Sequence, residues 1–240
     1  MTKSLPQVRC QGRSNCNACA LRRQMVCSDV SLDALIDFHA EVEDFDFEPG
    51  SELFAIDTPA DAVYCLRIGA VKMVHLAHNG AVRIVRVLMP GDVAGLESMY
   101  RERYDYSAVA IDRVRACRIP MTYFREFIGS RPVLQQRLMA SSQAALAEAQ
   151  DWLAQMVGGG IPARVRLARL LLKLQTGQGD RVIRFTGDDM AAILGITFET
   201  ISRVTSEFVR LGILRKGLGE TGKRYFRADI AALEKIARGD

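Results

Sequence analysis

Long hydrophobic runs are missing from this 240-residue chain. No window approaches 18 uninterrupted apolar residues, which excludes a helical membrane span. The opening MTKSLPQVRC has no apolar stretch of the kind that starts a secretory signal. Retention in the reducing cytoplasm is therefore expected. Histidine is scarce: only His39, His75 and His78 occur. None stands near a Ser or Cys in a nucleophile pattern, and no phosphate loop is present, so no enzyme is expected. What is there is 49% hydrophobic and 25% charged, the composition of a folded soluble protein.

Charge is unevenly placed. Residues 1–161 carry 17 basic and 19 acidic side chains, whereas residues 162–240 carry 15 and 9. A basic final third on a nearly neutral body points to a polyanion contact confined to one module. Six cysteines in a reducing compartment fit thiols, metal ligands or redox groups better than structural disulfides.

The pattern along the chain gives an α+β protein in four parts. Residues 1–30 form a cysteine-rich segment with little apolar periodicity, expected to be irregular, with a short helix following at 31–42. Residues 31–131 hold short apolar runs at Glu52–Ile56, Ala62–Ile68, Val71–Leu76, Arg83–Leu88, Ser107–Ile111 and Arg115–Ile119. Turn residues separate them, and Asn79-Gly80 between two such runs is a hairpin signal because both positions need positive φ. Many short strands at this spacing predict a β-barrel or jelly roll. Residues 132–157 read as one long helix. Its apolar and small residues Leu138, Ser142, Ala145, Leu146, Ala149, Trp152, Leu153 and Met156 recur at three- and four-residue steps. Such a seam suits packing against a second helix, in a dimer or on the roll itself. Gly158-Gly159-Gly160 before Pro162 marks a hinge.

Residues 162–240 then read helix (163–176), strand (182–185), helix (188–194), Gly195, helix (198–211) and a basic hairpin (213–216 and 223–226). This is the layout of a winged helix-turn-helix. The start of its second helix offers Glu199, Ser202 and Arg203 to base edges in the major groove. A carboxylate accepts from cytosine N4, and a guanidinium reaches guanine O6 and N7. Thr197, Thr200, Arg215, Lys216, Lys223 and Arg224, with Arg227, are placed for phosphates, which give affinity without sequence information. Ile201, Val204 and Phe208 face inward.

The segment LGITFETISRVTSEFVRLGIL resembles the recognition segment of the Crp/Fnr superfamily of bacterial transcription regulators. Glu199, Ser202 and Arg203 match the E-x-x-S-R pattern of the Fnr type. The order of parts agrees: a cyclic-nucleotide-binding-type β-roll, a dimer helix and a winged helix. The resemblance runs from Cys16 onward. It implies a homodimer on double-stranded DNA, at a palindrome close to TTGAT-N4-ATCAA. RNA polymerase is a further expected partner, with loops 77–81 and 101–106 as candidate surfaces.

Members of the superfamily that respond to cAMP place a Glu after the strand-turn Gly and an Arg-Ser pair further on. Leu96 and Tyr106 fall at the Glu and Arg positions here. Without that cation a buried phosphodiester has no partner, so cAMP is not expected. The cysteines offer another sensor. Cys16-x2-Cys19-x7-Cys27 gathers three thiols, and Cys117 stands in VRACRIP. Four thiolates suit a [4Fe–4S] cluster or a tetrahedral zinc. The resemblance implies the cluster, because Fnr-type oxygen sensors use an N-terminal Cys triplet plus one Cys before an Ile-Pro step. The x7 gap is like the variants of α- and β-proteobacteria. Cys10 is a spare and Cys65 reads as a core thiol. His75 and His78 leave haem as a weaker reading.

Overall fold

Strand register and buried apolar faces define the first of two compact units, Met1–Leu146 and Ala147–Asp240. The computed structural model describes residues 8–15, 19–21, 41–76, 82–156, 160–175, 179–218 and 224–239. The expected helix at 31–42 lies largely outside this set, and the Asn79-Gly80 turn wholly so. The first unit contains β1 (Val8–Arg13), β2 (Glu43–Phe47), β3 (Glu52–Phe54), β4 (Ala62–Ile68), β5 (Val71–Leu76), β6 (Val82–Leu88), β7 (Val93–Ala94), β8 (Ser107–Ala110) and β9 (Val114–Pro120). They form two antiparallel sheets, ordered β1-β2-β9-β4-β7 and β3-β8-β5-β6. Phe47, Phe54, Leu66, Val71, Met73, Leu88, Tyr104 and Ala116 are buried together in the core. Helix α1 (Met121–Gly129) adds Met121, Phe124, Phe127 and Ile128 to the same core, and packs on β4 and β9.

The six expected strands all form, within two residues of their expected ends. Residues 8–13, expected to be irregular, instead make the edge strand β1. All six of its residues are exposed, so no apolar alternation announced it; backbone pairing with β2 holds it. Strand β2 hides a regular alternation under acids. Phe45 and Phe47 face the core, while Asp44 pairs with Arg67 and Asp46 with Arg113.

Tyr104 organises the interior of the roll. Its ring stacks on Phe54 with centroids 3.8 Å apart. Its hydroxyl donates to Ala62 O at 2.6 Å and accepts from Ala62 N at 3.1 Å. Burial pushes the phenol well above its ordinary range, so it stays a donor. The β4–β5 turn needs Gly69: at φ +86° an added Cβ would lie 2.4 Å from Arg113 O.

Helix α2 (Pro132–Met156) follows α1 and spans the division between the units. The second unit holds α3 (Ala163–Lys173), β10 (Arg181–Ile183), α4 (Gly187–Leu194), α5 (Phe198–Arg210), β11 (Leu214–Leu218), β12 (Arg224–Ala228) and α6 (Ile230–Arg238). The hairpin β11–β12 takes β10 as a third strand on the β12 side. Helix α6 is capped by Asp229, which accepts from Ala232 N at 3.0 Å.

Replacing Tyr104 by Phe strands both polar groups of Ala62 in the core. Chemical denaturation of Tyr104→Phe is expected to show a loss of about 1–3 kcal/mol.

Candidate nucleic-acid interface and thiol site

In the second unit two threonines start the two helices of the motif. Thr186 caps α4 by accepting from Asp189 N at 3.0 Å. Gly195, at φ +61°, ends α4 in a left-handed turn. Thr197 then caps α5 by accepting from Thr200 N at 3.3 Å, and its hydroxyl lies 3.1 Å from that of Thr200. Both hydroxyls expected to meet phosphates are therefore already tied to the helix start. Arg166 on α3 donates to Leu194 O, satisfying a carbonyl at the end of α4. At Gly187 an added Cβ would come within 2.5 Å of the Phe198 ring, so the glycine lets the two helix starts meet.

Helix α5 is strongly two-faced. Ile201, Val204 and Phe208 are buried, as the spacing predicts. Glu199, Ser202 and Arg203 are exposed on the other side, near the helix start. A helix N-terminus aimed outward with a carboxylate, a hydroxyl and a guanidinium can present hydrogen-bonding groups to base edges. Arg215 and Lys216 are exposed on β11. Lys223 lies outside the described residues; Arg224 lies in β12, its side chain outside them. Sequence reasoning missed one feature of the wing: register aligns Arg181, Arg227 and Arg215 in one row across its three strands. Arg227 pairs with Asp180 at 3.3 Å, and Arg181 lies over the Tyr225 ring. The missing signal was the pairing of β10 with β12, which spacing alone does not give.

On α2, Leu138 does not stand free: it packs against the core of the roll, one turn beyond buried Leu134. Ser142, Leu146 and Ala149 are exposed and Ala145 is half-buried. Leu146 is 59% exposed, and Met139, not expected in the seam, is 65% exposed. Met139, Ser142, Leu146 and Ala149 recur at heptad-like steps along one face. Trp152, Leu153 and Met156 continue the helix, with side chains outside the described set.

The nucleotide positions of the roll are otherwise employed. Leu96 and Tyr106 are half-buried and pack against the core. The Ser107 hydroxyl accepts from Ile56 N at 2.9 Å. Tyr106 meets His75 edge-on, with centroids 6.0 Å apart. His78 lies outside the described residues.

The thiol site lies on the five-stranded sheet. Cys117 in β9 stands opposite Asp44 in β2 and opposite Cys65 in β4. It is only 6% exposed, and burial pushes its thiol up against the opposing pull of the Ser14 hydroxyl and the Arg67 charge. Cys19 is half-buried, packs against the roll core, and acts electrostatically on Cys117. Cys19 and Cys117 are the two of the four expected ligands that lie among the described residues, and both pack in or against the roll core. Cys16 and Cys27 lie outside the described residues. Among the described residues no group of three or more His, Cys, Asp or Glu gathers around a metal position. Two thiols on one core, with the Arg67 charge acting on Cys117, are donors of the kind that a thiolate-bound metal group takes. Cys65 is buried, as expected of a core thiol, and Cys10 is exposed on β1.

A cyclic-nucleotide-binding-type roll, a long helix and a winged helix-turn-helix define a DNA-binding transcription regulator. Residues 45–131 match the cyclic nucleotide-binding domain family, and residues 165–236 match the Crp-like helix-turn-helix domain. The transcriptional regulatory protein btr of Bordetella pertussis is 29% identical over 84% of this chain and 86% of its own. The nitrogen fixation regulation protein FixK of Azorhizobium caulinodans is 30% identical over 79% of this chain and 77% of its own. The structure of FixK2 from Bradyrhizobium japonicum superposes with a TM-score of 0.69 at 26% identity, covering 81% and 96% of the two chains. The chain belongs to the Crp/Fnr family of transcription regulators, and it is a regulator rather than an enzyme. Among the described residues no helix is long and apolar enough to cross a membrane.

A raised pKa keeps Cys117 protonated where an exposed thiol has begun to ionise. In metal-free protein, iodoacetamide at pH 8 is expected to label exposed Cys10 about tenfold faster than buried Cys117, as read by mass spectrometry.

Proposed function

We propose that this regulator is an oxygen-responsive, cytoplasmic transcription factor whose sensor is a [4Fe–4S] cluster held by Cys16, Cys19, Cys27 and Cys117. The observation that carries the reading is that Cys117 is buried at the middle of the sheet and Cys19, from the N-terminal segment, packs against the same core. When bound, the cluster supplies iron–thiolate bonds that tie the N-terminal segment to β9 and that oxygen breaks. The chain's own residues do the rest. Held to β9, the N-terminal thiols would favour self-association of the helix that follows the roll. The exposed stripe Met139, Ser142, Leu146 and Ala149, continued by Trp152, Leu153 and Met156, then pairs with the same stripe of a second copy. That apolar self-association needs no charged partner.

A homodimer presents two α5 helices to a palindrome close to TTGAT-N4-ATCAA, with half-sites about one helical turn apart. Glu199, Ser202 and Arg203 read bases there. Arg215, Lys216, Lys223 and Arg224 hold phosphates, and Thr197 and Thr200 order the helix start against the backbone. A monomer presents one helix and binds weakly. A coupling of a few kcal/mol between cluster binding and dimerisation is enough to switch occupancy. Genes of anaerobic or microaerobic growth are the expected targets, with RNA polymerase as a further partner. Leu96, Tyr106 and the engaged Ser107 hydroxyl support a roll that does not respond to cAMP.

Two neighbouring cysteines on one sheet face provide the test. Anaerobically purified Cys117→Ser is expected to lose bound iron and its affinity for the palindrome, whereas Cys65→Ser retains both. Full iron and full anaerobic affinity in Cys117→Ser would overturn the ligand assignment.

A further inference from the structure

Among the large apolar side chains of the second unit, Phe198, Val209 and Leu211 stand exposed. Val209 and Leu211 lie at the far end of α5, whereas Phe198 opens it, directly after the Thr197 cap. The Phe198 ring is 50% exposed. It stands beside Glu199 and one turn before Ser202, both exposed on the outward face. The ring is also seated. An added Cβ on Gly187 would meet its atoms at 2.5 and 3.0 Å. Gly187 is the first residue of α4 and its φ is not positive, so its backbone asks for no glycine. A glycine there weakens the helix relative to alanine, and the feature that uses it is the ring. One side of the ring is held by bare backbone and the other is open. The start of α5 thus carries a fixed apolar surface among its polar groups.

The bases offer one apolar group to such a surface. In the major groove thymine presents a methyl at C5, where cytosine presents a hydrogen. Glu199, Ser202 and Arg203 supply an acceptor, a hydroxyl and a set of donors, and none of these recognises a methyl. We propose that Phe198 is a fourth base-reading residue, which packs the open edge of its ring on the C5 methyl of a thymine beside the bases met by Glu199 and Ser202. The contact determines specificity, because a cytosine at that place leaves the ring edge without its apolar partner. Gly187 is a positioning residue, since it sets where the ring stands. The inference rests on the reading of α5 as the helix that enters the major groove, and not on any one palindrome.

The test uses full-length protein purified without air and a duplex that the protein itself selects from a randomised pool. Each thymine of one half-site is replaced in turn by uracil, which pairs identically and lacks only the methyl. At one position wild type is expected to bind the uracil duplex about fourfold more weakly, the effect of one methyl left in water. Phe198→Ala should bind thymine and uracil there equally, and Phe198→Leu should keep most of the difference. Gly187→Ala retains the ring but shifts it, so the thymine-to-uracil ratio should fall with no loss of thermal stability. A Phe198 with a structural role alone would weaken both duplexes alike and leave the ratio as it is. The absence of a uracil-sensitive thymine, or a wild-type ratio in Phe198→Ala, overturns the proposal. Arg203→Ala on the same duplex separates this failure from that of the reading beneath it. Wild-type affinity in that variant would remove α5 from the groove, and the proposal with it.

Discussion

The register of β9 between β2 and β4 is the constraint on which the first unit and its thiol site depend. Antiparallel pairing sets Cys117 opposite Asp44 on one side and Cys65 on the other. Side chains alternate along a strand, so a slip of one residue would exchange Cys117 for Ala116 and turn the thiol to the opposite face. The register is pinned by burial on both faces: Ala116, Val114 and Leu66 on one, Ile119, Val63 and Cys65 on the other. Ion pairs at its margin, Asp46 with Arg113 and Asp44 with Arg67, reinforce it from β2. Only with that register in place does β9 set a thiol rather than a methyl group beside Asp44 and Cys65.

A similar division of labour runs through the second unit. Three apolar residues of α5 fasten it inward, and two threonine caps and one glycine contact fix where α4 ends and α5 begins. The outward residues are then free of structural duty. That separation lets the outward side chains vary without unfolding the unit, which is what a recognition surface needs. The basic row on the wing sheet belongs to the same logic: its inner face buries Val182, Phe226 and Leu214, and its outer face carries arginines.

Much of this was legible in the residues because the signals were periodic. Strands β4 and β5 stood out as short apolar runs between turn residues, α2 as three- and four-residue steps, and α4 and α5 by the Gly195 break between them. What escaped had no such signal. Strand β1 is wholly exposed and owes its existence to backbone pairing with β2. Leu138 matched the helical seam by spacing, but a seam cannot say which neighbour it meets, and here the roll covers it. The thiols were readable as a set by spacing; that Cys117 stands between Asp44 and Cys65 comes from the pairing of β9 with β2 and β4.

The central claim is that a thiolate-bound cluster couples the N-terminal segment to self-association. Iron and acid-labile sulfide per chain, together with the sedimentation mass of the same sample before and after air, test it most directly. About four of each per chain, with a dimer that falls to a monomer in air, is the predicted result. A metal-free dimer that binds the palindrome regardless of air would contradict it.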